Sequence, residues 1–187
     1  MARRCKVRWI SLVMLCAMAL VLSASCSFVA QDTDARPKPA QHPDLQLTDG
    51  SYTLSQAGTA PVTVVAKNIE IYGKAHKALM DNLSFTQYDS DGVLKMQGKA
   101  DYCSLDTDSY SAQLDGNIFL ELPERKFSID CSSLDWDNSS KVLSSTKGKV
   151  SVTFNGNDTI TGTGFSGNLA TRTFEFATLE KGELHEE

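Results

Sequence analysis

The chain has 187 residues, 41% of them hydrophobic, and a formal net charge of −5. That length holds one folded domain with appendages. After the first few residues there is no basic patch, so nucleic acid is excluded as a partner.

Residues 1–26 come first as a signal peptide or membrane anchor. Arg3, Arg4, Lys6 and Arg8 form a basic cap, and "WISLVMLCAMALVLSASCSFVA" follows without a charge until Asp32. The apolar heart, Trp9 to Leu22, is short for a spanning helix. It ends in "LSASC", which places two small residues before Cys26, the arrangement that precedes a lipidated cysteine. Ser23 stands where an aliphatic residue is usual, with Leu22 one step earlier. Lipidation of Cys26 is the first reading; an uncleaved N-terminal helix and plain secretion are the others. All three place the remainder outside the cytoplasm.

Residues 27–44, with Pro37, Pro39 and Pro43, read as a flexible tether. From 45 to 184 the pattern is period two, in short runs separated by Gly, Asn, Asp and Ser clusters, which predicts strands and hairpins. Asp91-Gly92 marks a hairpin, because that dipeptide tolerates positive φ. Further on, "NIFLEL" sets Ile118, Leu120 and Leu122 on one face, "KFSIDC" sets Phe127, Ile129 and Cys131, and "KVSVTFN" sets Val150, Val152 and Phe154. Only "AHKALMDNL", 75–83, has any helical character, and it reads better as strand or loop.

The segments 103–118 and 131–152 share the order Cys, Leu-Asp, Asp, Gly, β-branched residue, and a fainter copy runs over 164–184. Their closing glycines, Gly116, Gly148 and Gly182, lie 32 and 34 residues apart. This spacing predicts stacked two-strand units, each unable to bury its apolar face alone. In a mature chain starting at Cys26, Cys103 and Cys131 begin equivalent segments, and stacking would bring them side by side. A disulfide and two small buried thiols are both open readings.

Catalytic constellations are missing. His42, His76 and His185 are scattered without zinc spacing or a nucleophile partner, and "GFSGN" lacks the order of a nucleophile elbow. "DSDG" at 89–92 resembles a calcium loop but has no later glutamate to complete it, so a turn is the better account. The sequons at Asn82, Asn138 and Asn157 matter only in a eukaryotic secretory route. The expectation is a protein that is not an enzyme and needs no cofactor or metal.

An exported, repetitive antiparallel sheet with one apolar face either packs a second sheet or encloses something apolar. The run "LSFTQYDSDGVLKMQGKADY", with "LDWDNSSKVLSSTKGKVSV" and "GTGFSGNLATRTFEF", resembles the LptC family of lipopolysaccharide export, over roughly residues 45–184. The resemblance implies an all-β fold: a twisted antiparallel β-jellyroll of stacked hairpin repeats, open at both ends. It implies a periplasmic protein held at the inner membrane by an N-terminal anchor, in that family commonly an uncleaved helix, whereas this chain departs from the pattern by offering Cys26 for lipidation. It further implies that lipopolysaccharide or a related glycolipid passes from inner-membrane ABC transporter subunits into the hydrophobic groove, and on to an LptA-type bridge protein by edge-strand pairing. The N-terminal edge would be about 47–65 and the C-terminal edge about 173–181.

The side chains assigned to the lipid are Leu94, Met96, Ile118, Leu120, Phe127, Ile129, Trp136, Val152, Phe154, Phe165, Phe174 and Phe176. Gly162, Gly164 and Gly167 would let the backbone bend or approach closely. An LptA/OstA-like glycolipid carrier lipoprotein is the near alternative, and a structural surface lipoprotein without lipid cargo the more distant one.

Overall fold

The structure, a computed structural model, describes residues 38–183. Cys26, the signal or anchor, the tether as far as Pro37, and His185 lie outside the described residues. The chain divides into two compact units, Met1–Lys38 and Pro39–Glu187, and every strand belongs to the second.

Nine strands follow in chain order: β1 (Leu45–Leu54), β2 (Val62–Tyr72), β3 (Lys77–Tyr88), β4 (Leu94–Asp106), β5 (Ala112–Leu122), β6 (Phe127–Asp137), β7 (Val142–Phe154), β8 (Asp158–Asn168) and β9 (Thr173–Glu183). Each pairs antiparallel with the next in a single open, twisted sheet of order β1 to β9. This is the jellyroll expected. Single 3-10 turns at Gly73–Ala75 and Pro123–Arg125 are the only helical elements among the described residues. The 75–83 segment accordingly enters β3, and Gly92 takes φ 78° in the β3–β4 hairpin. The N-terminal edge is narrower than expected: it is β1 alone, because Val62 to Val65 pair with both β1 and β3 inside the sheet.

Most strands change phase halfway along. In β2 the buried side chains are Val64 and Ala66, then Ile69; in β4, Ala100, then Cys103 and Leu105; in β7, Leu143, then Val150 and Val152. An inserted residue moves the inward set from even to odd positions or back, and the pairing registers of β4–β5, β5–β6, β6–β7 and β7–β8 slip at these points. Such bulges bend a strand. Left-handed residues mark the bends: Asp49 (φ 50°), Asn82 (φ 47°), Gly116 (φ 74°) and Gly148 (φ 73°). Their spacings of 33, 34 and 32 residues follow the repeat. Gly182 does not join them, since its φ is not left-handed; the series runs back toward Asn82 and Asp49 instead.

The third copy shows elsewhere, in three turns of the same chemistry. Asp106 Oδ1 accepts from the N–H groups of Asp108 (3.1 Å) and Ser109 (2.8 Å). Asp137 Oδ1 does so from Ser139 (2.8 Å) and Ser140 (3.3 Å), and Asn168 Oδ1 from Ala170 (2.9 Å) and Thr171 (3.0 Å). Each turn closes on a left-handed residue: Tyr110, Lys141 and Arg172, with φ of 60°, 58° and 60°. These bonds to the ionised form hold the Asp137 carboxyl down at about 2 and lower that of Asp106, the largest contributions coming from the Ser139 hydroxyl and the Ser109 N–H respectively.

Because the strands bend, their two ends approach each other and the sheet folds over its own apolar face. The Tyr110 hydroxyl, between β4 and β5, donates to Ser55 O between β1 and β2 at 3.3 Å. Arg125 Nη1, between β5 and β6, donates to Leu169 O between β8 and β9 at 3.2 Å. These contacts join loops from opposite strand ends across a seam. The core lies between the two halves, with Ile69, Ile129, Val150 and Val152 wholly buried.

Cys103 and Cys131 are both free thiols, so of the two open readings the structure has the unpaired one and not the disulfide. Cys103 in β4 stands opposite Leu114, and Cys131 in β6 opposite Ile118, with β5 between them. Strands two apart are separated by about 9–10 Å, and a disulfide needs Cα atoms within about 7 Å. The repeat stacks pairs of strands, so equivalent residues are separated by an intervening strand.

Candidate functional site

Inside the fold lies a cavity of about 330 Å³, within the usual range of small-ligand sites. Its wall comes from β1 through β7 and the loops at both strand ends, and it is predominantly apolar. Met96, Ile118, Leu120 and Trp136, expected from the sequence, line it. So do Met80, Leu83, Phe85, Leu114, Leu143 and Leu169, which the sequence reading did not single out. Met80 and Leu83 flank Asn82, where an alternation carried along β3 in one phase assigns one of them to the wrong face. A three-residue step beside a left-handed Asn was the available signal.

Polar groups gather toward the ends of this cavity. Gln87 Nε2 donates to Ala60 O at 2.7 Å, which fixes the β1–β2 loop beside the wall. Lys141 donates to Asn138 Oδ1 at 2.8 Å and stands 5.8 Å from the ring centroid of Trp136. The Cys103 thiol borders the cavity, and burial pushes its pKa up to about 12; burial likewise raises Cys131 to about 11. Neither thiol has the electropositive surroundings of a reactive cysteine.

A second cavity, of about 520 Å³, adjoins the first and shares Leu122, Leu143 and Leu169 with it. Phe127, Phe165 and Phe174 line it, with Arg125 and Arg172 at its mouth. Phe174 touches Phe127 (6.4 Å between centroids), Phe154 (5.9 Å) and Phe176 (6.5 Å), and Phe176 touches Phe165 (5.4 Å). Phe174 and Phe176 therefore share the inner face of β9, while Glu175 is exposed on the other. Gly162 admits this cluster: a Cβ there would strike Thr178 O and the Phe176 ring.

Of the remaining expected residues, Ile129 and Val152 fall in the closed core, Phe154 and Phe176 pack against it, and Leu94 lines neither cavity. His76 lies on the outside, its Nδ1 3.0 Å from Asp108 Oδ1. Asp89 Oδ1 is taken up by the N–H groups of Asp91 and Val93, both at 2.9 Å, as a turn requires. Among the described residues no three His, Cys, Asp or Glu side chains gather as a metal site.

Comparison with known proteins agrees with this architecture. The family model described as "Lipopolysaccharide-assembly, LptC-related" matches residues 11–181. No curated protein sequence matches the chain. Among solved structures, the fold is similar to the crystal structure of LptH, the LptA homologous periplasmic component of the lipopolysaccharide transport device from Pseudomonas aeruginosa. That similarity has a TM-score of 0.55 at 13% identity and covers 64% of this chain and 83% of that one. At this identity the likeness is one of fold.

Proposed function

Because the chain belongs to the LptC-related family of lipopolysaccharide-assembly proteins, we propose that it carries lipopolysaccharide by enclosing the acyl chains within its folded sheet. The observation that supports this most is the apolar cavity, with a second cavity of mixed lining adjoining it, inside a sheet that is never closed into a barrel. A well-packed domain leaves few voids larger than a water molecule. Here the apolar side chains surround open volume, and acyl chains suit it without demanding any buried polar partner.

In this reading the ligand arrives from inner-membrane ABC transporter subunits, which supply the energy, and leaves to an LptA-type bridge protein. β1 and β9 each have a neighbour on one side only, so each has backbone groups free to pair with a partner's strand. The transporter would meet β1 and the bridge protein β9. The anchor in the inner membrane would be a lipid on Cys26 or an uncleaved N-terminal helix.

The test is photo-crosslinking in cells with a benzophenone side chain at Leu120, in the cavity wall, and at Val65, which is 52% exposed on the outer face. Capture of a multiply acylated glycolipid at 120 and not at 65, identified by mass spectrometry of the adduct, is the expected result. Equal capture at both positions, or none at 120, contradicts the proposal.

A further inference from the structure

The second cavity differs from the first in its rim. Phe127, Phe165 and Phe174 form an apolar wall, and two guanidinium groups stand where that wall meets solvent. Arg125 comes from the 3-10 turn after β5 and Arg172 from the turn before β9, so they belong to opposite lips of the seam. Both residues are exposed. Arg125 donates one bond to a backbone carbonyl, Leu169 O, at 3.2 Å, and no ion pair holds either arginine among the described residues. The single acidic residue of this lining, Glu124, is paired to Lys95 at 2.6 Å. Lys141, whose carbonyl accepts from Leu169 N–H at 3.0 Å, lies along the same lip as Arg172, but its ammonium is engaged by Asn138 at the first cavity.

We infer that this mouth is a headgroup site, at which Arg125 and Arg172 hold a phosphate located where the polar head of an acyl lipid joins its chains. Charge complementarity names the occupant: forked guanidinium donors match phosphate oxygens, and the aromatic wall directly below accepts the chains. A phosphate held between the two lips would fasten the seam over the acyl chains. The inference rests on the lipid-carrier reading and adds to it the chemistry of the head.

The experiment uses the purified full chain in non-ionic detergent, titrated calorimetrically with phosphatidic acid and with diacylglycerol of the same two acyl chains. The wild-type protein should bind phosphatidic acid roughly tenfold or more tightly than diacylglycerol, and the preference should shrink as salt is raised. In the Arg125→Gln, Arg172→Gln double variant the preference should vanish. Diacylglycerol affinity should remain, which also shows that the variant is folded. Equal wild-type affinities for the two lipids, or a preference that survives in the double variant, overturn the headgroup site and leave the acyl-chain reading standing. Inorganic phosphate competing as well as the lipid overturns it in favour of a free-anion site. Binding of neither lipid removes the acyl-chain reading, and the headgroup site falls with it.

Discussion

The ring of Phe174 lies 5.9 Å from that of Phe154, although one residue opens β9 and the other closes β7 at the opposite end of the sheet. Their contact crosses the seam, and it makes Phe174 a different kind of residue from Phe165, which is 2% exposed where Phe174 is 36% exposed.

Truncating the two should therefore have separable effects. Phe165→Ala leaves a cavity in packed surroundings and is expected to cost about 3–5 kcal/mol in urea denaturation. Phe174→Ala loses partly exposed surface and aromatic pairings worth about 0.5–1.5 kcal/mol each. Its stability should fall by about 1–2 kcal/mol, with a larger proportional loss of lipid capture. Crosslinkers at 174 and 176 should label lipid while one at 175 does not. Equal labelling at all three would contradict the inner-face assignment of β9.

The bends offer a second test. Gly116 has φ 74°, and a Cβ there would sit 2.5 Å from Asp101 Oδ2, which also accepts from Asn117 Nδ2 at 2.7 Å. Gly116→Ala should cost about 2 kcal/mol or more, from left-handed strain and the displaced carboxylate. Gly182 has no neighbour within 4 Å of an added Cβ, and Gly182→Ala should change stability by no more than about 0.5 kcal/mol. Melting curves of the two variants decide whether the bend requires its glycine.

Thiol chemistry gives a third. Burial raises the pKa of Cys103 to about 12 and of Cys131 to about 11, which keeps both protonated at about pH 8. Alkylation with iodoacetamide, read peptide by peptide, should be slow at both in the native protein. It should accelerate as pH rises, at Cys131 before Cys103. In denaturant without reductant both should label at the rate of ordinary thiols; failure of either to do so would restore the disulfide.

The strands, the Asp91-Gly92 hairpin and the greasy face of Ile118, Leu120, Ile129 and Val152 were legible because burial on one face imposes alternation over short runs. The phase changes were not. An alternation template assumes one phase per strand, whereas Asn82 and Gly148 reset it halfway, so Met80, Leu83 and Leu143 were not among the side chains assigned to the lipid. The repeat was visible in its Leu-Asp and Gly residues. Matching copies by their glycines chose Gly182, where the conserved physics is the side-chain oxygen at 106, 137 and 168 accepting two backbone N–H groups. The cysteines show the same limit: equivalence along the chain does not tell how many strands separate two residues in the sheet.

A sheet whose strands bend at regular intervals and which never closes on itself has no fixed number of strands. A barrel must balance strand number, tilt and shear, so adding a hairpin forces the whole ring to readjust. Here the bends recur every 32 to 34 residues and each strand pairs only with its neighbours in the ladder, so duplicating one such segment would lengthen the sheet by about 10 Å without a change in the pairing of the other strands. Length in this architecture is a quantity that duplication would change in increments of two strands, with no ring to rebalance.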